Sequence, residues 1–260
     1  MSKNNYSAGR AWLAMAALAL AAAVTPAAAQ TRAQMQIADR KLVETHTATY
    51  RVTQGEREIG SEAVTVRTYN TNTVVYEGRI TMQLSDEIGY DETSRLEVEE
   101  DSYFPRAFAT TREMWHGEAR FTHSVSIEMF GNLAVADTRL RDKTEQRRIV
   151  VPAGTAIVAT GVLHLFEQLL AVYNEETGGR QSFQVLDALT SRTEQVVVRR
   201  VGPEEASVAG ETVAATMYTV DREKFSVQIF VDAGGRVVRG EMTMMVYELV
   251  SWESHAGEGE

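Results

Sequence analysis

The chain contains no cysteine. That excludes disulfide staples, a lipidated N-terminal cysteine and any thiolate contribution to a zinc site. Stability must then come from buried area, which roughly 220 residues can supply as a single domain. Basic charge is also in short supply. The formal net charge is −10, and removing Lys3 and Arg10 with an N-terminal leader takes it to −12. A chain this acidic gains nothing overall from phosphate counterion release, which argues against nucleic acid, and the same charge argues against docking on anionic lipid through a basic patch. Catalytic signatures are missing too. There is no G-x-S-x-G elbow, no phosphate-binding G-x-x-x-x-G-K-[ST], no G-x-G-x-x-G opening a helix and no H-E-x-x-H. The sequence implies no cofactor and no metal, and no fixed-period repeat points to a solenoid or propeller.

What is present begins with a secretion signal over residues 1–29. Lys3 and Arg10 form its positive end, Ala11 to Val24 its apolar core, and Ala27-Ala28-Ala29 its cleavage site. The core is too short for a membrane anchor, so none is expected after cleavage. The implied address is the periplasm of a Gram-negative type of cell. Residues 30–41 read as a flexible lead-in, 42–252 as one β-rich domain and 253–260 as a disordered tail.

From Leu42 onward apolar and polar residues alternate with period two. Val74-Val75-Tyr76-Glu77-Gly78-Arg79-Ile80-Thr81-Met82-Gln83-Leu84 is the longest such run, with Tyr76, Ile80, Met82 and Leu84 on one face and Gly78 marking a bend or bulge. Turn signals at Gly55, Asn70-Thr71-Asn72, Gly117, Gly131-Asn132 and Gly234-Gly235 divide the alternation into hairpins. Val237 to Val250 reads as one strand. A single mature stretch departs from period two: Thr155 to Tyr173, whose Ile157, Val158, Val162, Leu163, Phe166, Leu169 and Leu170 recur at helical spacing. Thr155 suits an N-cap and Gly178-Gly179 a stop. The spacing therefore predicts a mainly β fold: a long curved antiparallel sheet, an open or nearly closed barrel, wrapped around one central α-helix.

Two pieces carry a resemblance. One is Tyr50-Arg51-Val52-Thr53-Gln54-Gly55-Glu56-Arg57-Glu58-Ile59-Gly60, and the other Phe230-Val231-Asp232-Ala233-Gly234-Gly235-Arg236-Val237-Val238, with a lone helix between them. Together they resemble an exported bacterial protein family of unknown function with an open β-barrel around a helix, similar to the lipoprotein-carrier fold. The resemblance implies a cavity for lipid or another apolar ligand and supplies no catalytic set.

The candidate lining residues are Tyr76, Met82, Leu84, Leu163, Phe166 and Leu170, with Trp115 either rimming a pocket mouth or capping the core. Met82, Met242, Met244 and Met245 serve equally as core filler or as an adaptable lining. His116 and His123 flank a turn with Glu118 between them and could form an acid–base or metal site with Glu113 or Glu128; surface histidines beside a turn would look the same. The leading functional expectation is a non-enzymatic periplasmic binding or carrier protein for a lipid-like or other apolar ligand. The alternatives are an envelope protein–protein interaction module with a filled barrel interior and an enzyme with an unrecognised polar site. A hollow interior favours the first, a packed one the second, and converging inward-facing carboxylates or histidines the third.

Overall fold

A computed structural model describes residues 40–208 and 210–257. The leader and the lead-in up to residue 39 lie outside the described residues, as does 258–260. From Lys41 onward the described residues form one compact unit.

Fifteen strands account for most of the unit. They are β1 Leu42–Gln54, β2 Arg57–Tyr69, β3 Thr73–Gln83, β4 Ile88–Glu99, β5 Pro105–His116, β6 Ala119–Phe130, β7 Leu133–Leu140, β8 Lys143–Val150 and β9 Ala156–Val158. After a helical insertion come β10 Arg180–Asp187, β11 Arg192–Val208, β12 Glu211–Asp221, β13 Ser226–Asp232, β14 Val237–Met242 and β15 Met245–Ala256. All belong to one sheet, ordered β8-β7-β6-β5-β4-β3-β2-β1-β15-β14-β13-β12-β11-β10-β9. The chain's two end strands pair in the middle of this order, so β1 lies against β15, and the sheet's edges are β8 and β9. The sheet does not close. Every neighbouring pair is antiparallel except β9 with β10.

Period-two alternation is what forms these strands. In β3, Tyr76, Gly78, Ile80 and Met82 are buried while Arg79, Thr81 and Gln83 are exposed. In β4, Glu92, Ser94, Leu96 and Val98 point inward between exposed Asp91, Thr93 and Arg95. The edge strand β8 has no buried side chain, and its Lys143, Glu145, Arg147 and Arg148 are the charged residues expected on an unpaired edge.

Three sequence expectations need correction. The central helix is far shorter than Thr155–Tyr173. Ala156–Val158 is strand β9, pairing Val185, Leu186 and Asp187 of β10 in parallel. Leu163–Phe166 is a 3₁₀ turn, and only Glu167–Ala171, here α1, is α-helical. Gly161 has φ +85, which no helix admits, and Thr155 Oγ1 donates to Pro152 O (2.7 Å) rather than capping a helix. The apolar residues still reach the interior: Leu163, Leu165, Phe166 and Leu169 are no more than 1 % exposed. Secondly, Val237 to Val250 is two strands. Thr243 takes φ +59 in the turn joining β14 to β15, and Met242 pairs with Met245 across it. A β-branched residue is costly there, so no turn residue advertises the break. Thirdly, β15 runs on to Ala256, paired through Glu44, so Glu253 to Ala256 of the expected tail are strand.

The inserted segment is held against the sheet's inner face. Leu163 packs on Gly240 of β14, and Gly161 N–H donates to Met242 Sδ (3.1 Å). Its link to β9 is a side chain. Gln168 Oε1 accepts the N–H of Ile157 (3.3 Å), while its amide nitrogen donates to the carbonyls of Ile157 and Leu165. The buried amide thus occupies the place of a neighbouring strand at the β9 edge. A second, smaller apolar cluster of Ala206, Val208, Ala215, Phe230 and Val238 lies on β11–β14.

Candidate functional site

Register gathers polar side chains that lie far apart in sequence. Tyr50, Glu62, Ile80, Glu92, Arg112 and His123 face one another in turn across β1 to β6. Glu62 and Glu92 are at most 1 % exposed, so each carboxylate requires partners. Glu92 accepts from Thr110 Oγ1 (2.7 Å) and Arg112 Nε (2.7 Å), and the Arg112 guanidinium lies 4.4 Å over the Tyr90 ring. Burial, with the Arg112 charge beside it, holds His123 below its usual range against the pull of Glu92.

Glu62 turns to the inserted segment. Its Oε2 accepts the N–H of Leu163 (3.0 Å) and its Oε1 that of His164 (3.0 Å). These are the first free donors of the 3₁₀ turn, so a carboxylate from β2 caps a helical end about a hundred residues away. Oε1 also meets His164 Nδ1 (2.7 Å), and His164 Nε2 meets Ser94 Oγ (3.1 Å). Fully buried His164 fits because β3 has no side chain beneath it. A Cβ at Gly78 would lie 2.2 Å from His164 Cε1 and 2.7 Å from Ser94 Oγ. Gly78 is therefore a seat for an imidazole and not a bulge; β3 pairs through it without a register shift. Gly78→Ala should cost about 1–3 kcal/mol by overpacking. A thermal midpoint unchanged from the parent would show that the ring has room to move.

Carboxylate, imidazole and hydroxyl stand in the order used for acyl transfer. Ser94 itself is almost wholly buried, 6 % exposed. Its Oγ faces His164 and the Gly78 backbone, and the cleft that touches Ser94, Gly78 and Thr110 is otherwise lined by Glu77, Thr93, Arg95, Ala109 and Thr111 of the solvent face. The triplet acts as a clamp between the inserted segment and the sheet.

What the clamp positions is a pocket. Beyond His164, α1 presents Glu167, Leu170 and Ala171 to a half-open cavity of ≈ 300 Å³, completed by His46, Tyr76, Tyr218, Val231, Gly235, Arg236, Val237 and Trp252. Its walls are aromatic. His46 stacks on Trp252 at 4.9 Å between centroids, and Tyr218 meets Tyr173 edge-on at 5.7 Å. Burial lowers the His46 pKa, opposed by Glu44, so the stacked ring is neutral at neutral pH. Arg236 at the rim is paired with Asp232 (2.7 Å). Among the described residues, the carboxyl on the pocket wall is that of Glu167. Burial pushes it up to about 7, opposed by His164, helped by the Glu62 charge and opposed again by Tyr50. The Tyr50 hydroxyl donates to Val237 O (3.0 Å), and burial, with the Glu167 and Glu62 charges nearby, holds it protonated.

Of the residues expected to line a cavity, Tyr76 and Leu170 reach this one. Met82, Leu163 and Phe166 are enclosed in the packed core. Leu84 lies just beyond β3 and is 40 % exposed. Trp115 covers Gly89, whose added Cβ would fall 2.3 Å from Cζ2, and holds the Arg120 guanidinium 5.0 Å from its ring. His116 closes its turn opposite Ala119, while His123 sits four residue pairs away opposite Arg112, so register does not bring the two together. Sequence reasoning passed over His46, Glu167, Tyr218, Arg236 and Trp252. A glutamate amid the apolar residues 162–170 was the signal available for Glu167; the others converge only through the tertiary fold.

Residues 122–250, just under half of the chain, match the model of a domain of unknown function, DUF6134. No curated protein matches the chain. Among solved structures it is similar to a β-barrel-like protein of a domain of unknown function, DUF1849, from Brucella abortus, with a TM-score of 0.56, 11 % identity, and coverage of 83 % of this chain and 99 % of that one. At that identity the likeness concerns the fold. The chain is thus similar to proteins of unknown function and has a β-barrel-like architecture.

Proposed function

We propose that this is a non-enzymatic binding protein of the cell envelope. It holds a small amphiphilic ligand in the pocket between α1 and the inner face of the sheet. The observation that carries the reading is the ≈ 300 Å³ aromatic-walled cavity with the Glu167 carboxyl in its wall. Apolar walls with one directing polar group are the usual make-up of a small-molecule site, and this volume lies at the small end of the range. A short acyl chain or a ring system fits it; the packed core around Leu163 and Phe166 leaves no room for a long one. Burying about 200 Å² of apolar ligand surface would contribute about 5 kcal/mol.

The test has two arms. Extracting the purified protein with organic solvent should release a co-purifying amphiphile detectable by mass spectrometry. Octanoate should bind saturably, and Leu170→Asp should weaken it about tenfold, an effect of about 1.4 kcal/mol. Repeated empty extracts, together with octanoate affinity indifferent to Leu170→Asp, would remove the reading. The filled core and the free edge of β8 favour, in that event, an envelope interaction module working by strand addition.

A further inference from the structure

At least ten arginines among the described residues are held in ion pairs with carboxylates, Arg112 and Arg222 deep among them. A different arrangement occurs at the end of the β6–β7 hairpin. Arg120, Arg139 and Arg141 line an open cleft of ≈ 490 Å³ with Phe121, Thr122 and Ser124. None of the three guanidiniums makes an ion pair or a side-chain hydrogen bond among the described residues. Of the acids that sequence and register place nearby, Asp137 accepts from Gln146 Nε2 (2.9 Å), and Glu113, Glu118 and Asp142 make no pair with these arginines. Two of the guanidiniums rest on aromatic rings, Arg120 on Trp115 at 5.0 Å and Arg141 on Phe121 at 5.1 Å. Stacking uses the face of the guanidinium and leaves its N–H edges free. Ser124 Oγ accepts from Thr111 Oγ1 (3.3 Å), which leaves the Ser124 proton to be donated. Arg141 occupies the turn with φ +58, a conformation that disfavours a long L side chain.

We infer that this cleft is a binding site for a multivalent oxyanion of the phosphate type. Two guanidiniums preset by stacking, a third on Arg139, a free hydroxyl proton and a second hydroxyl on Thr122 match tetrahedral oxygens carrying two or more charges. The volume exceeds a single phosphate, so the group is carried on a small molecule or a headgroup. Net charge does not reveal such a site, because the sum of −10 averages over a local reversal of the field. The inference is independent of the α1 pocket, whose lining shares no residue with this cleft.

The full chain is titrated with inorganic pyrophosphate by calorimetry at low ionic strength. In parallel it is sedimented with phosphatidylcholine vesicles, with and without phosphatidic acid. Saturable binding of pyrophosphate, or retention only by vesicles that contain phosphatidic acid, is expected; the first result identifies a soluble phosphate as the source and the second a lipid headgroup. Arg139→Ala should weaken binding about tenfold, the loss of one charge-assisted contact. Arg141→Gly should weaken it comparably while leaving the thermal midpoint unchanged or higher, since glycine accepts φ +58 without strain. Arg148→Ala, an exposed arginine of β8, serves as the control and should change nothing. Absence of saturation by pyrophosphate together with no preference for phosphatidic acid overturns the site. So does equal affinity in the parent, Arg139→Ala and Arg141→Gly.

Discussion

Replacing Glu62 with alanine should lower the unfolding free energy by about 3–5 kcal/mol, the scale of breaking a buried hydrogen-bond network. The carboxylate is fully enclosed and accepts from the N–H groups of Leu163 and His164 and contacts the His164 ring. Alanine leaves the two backbone N–H groups without an acceptor where water cannot reach them, and each such orphan costs about 1–3 kcal/mol. It also opens a void beside the His164 ring. Glu62→Gln keeps one acceptor oxygen but turns an amide N–H₂ toward other donors, so it should fall between parent and alanine. Urea unfolding followed by tryptophan fluorescence measures both. Because α1 follows directly from this clamp, octanoate affinity should drop in Glu62→Ala under conditions where it remains folded. A variant within about 1 kcal/mol of the parent would mean that the clamp is not what holds the insertion.

Raising the pH from about 4.5 to above 7 should remove about 3 kcal/mol of stability through Glu167 alone, at 1.36 kcal/mol for each pH unit of the window. In the unfolded chain the carboxyl titrates near 4.5, and in the fold burial raises it to about 7. The folded state therefore retains a proton that the unfolded chain releases. Its contribution is complete below 4.5 and is lost as pH climbs through 7. Other groups act over the same range, His46 and His123 among them, both lowered by burial. The quantity to measure is the difference between parent and Glu167→Gln, in which those contributions cancel. The glutamine variant should gain on the parent progressively between about pH 4.5 and about 7.5. Parallel stability curves across that range would place the Glu167 carboxyl in water. The same protonation bears on the ligand: below about pH 7 the pocket offers a neutral hydrogen-bond donor, and above it an anion.

Much of the sheet was legible in advance because strand identity depends on near neighbours. Alternation in β3 and β4 follows directly from the order of residues, and Gly117 and Gly131 announce their hairpins by tolerating positive φ. The inward destination of Leu163 and Phe166 could be read as well, since apolar residues have few other places to go. Their conformation could not. Three apolar residues, Ala156 to Val158, satisfy helix and strand periodicity alike, and parallel pairing with β10 decides the matter.

The candidate sites show the same division more sharply. Nothing near Glu62 in the sequence mentions His164, and nothing near His46 mentions Trp252 or Glu167. Order along the chain settled which residues alternate, which turn and which must be hidden from water. Only the tertiary structure decided register, the shortening of the helix, and which charges meet inside. Backbone preference and hydrophobic patterning act over a few residues, whereas pairing β1 with β15 and desolvating a carboxylate beside a distant histidine are settled only when the whole sheet has assembled.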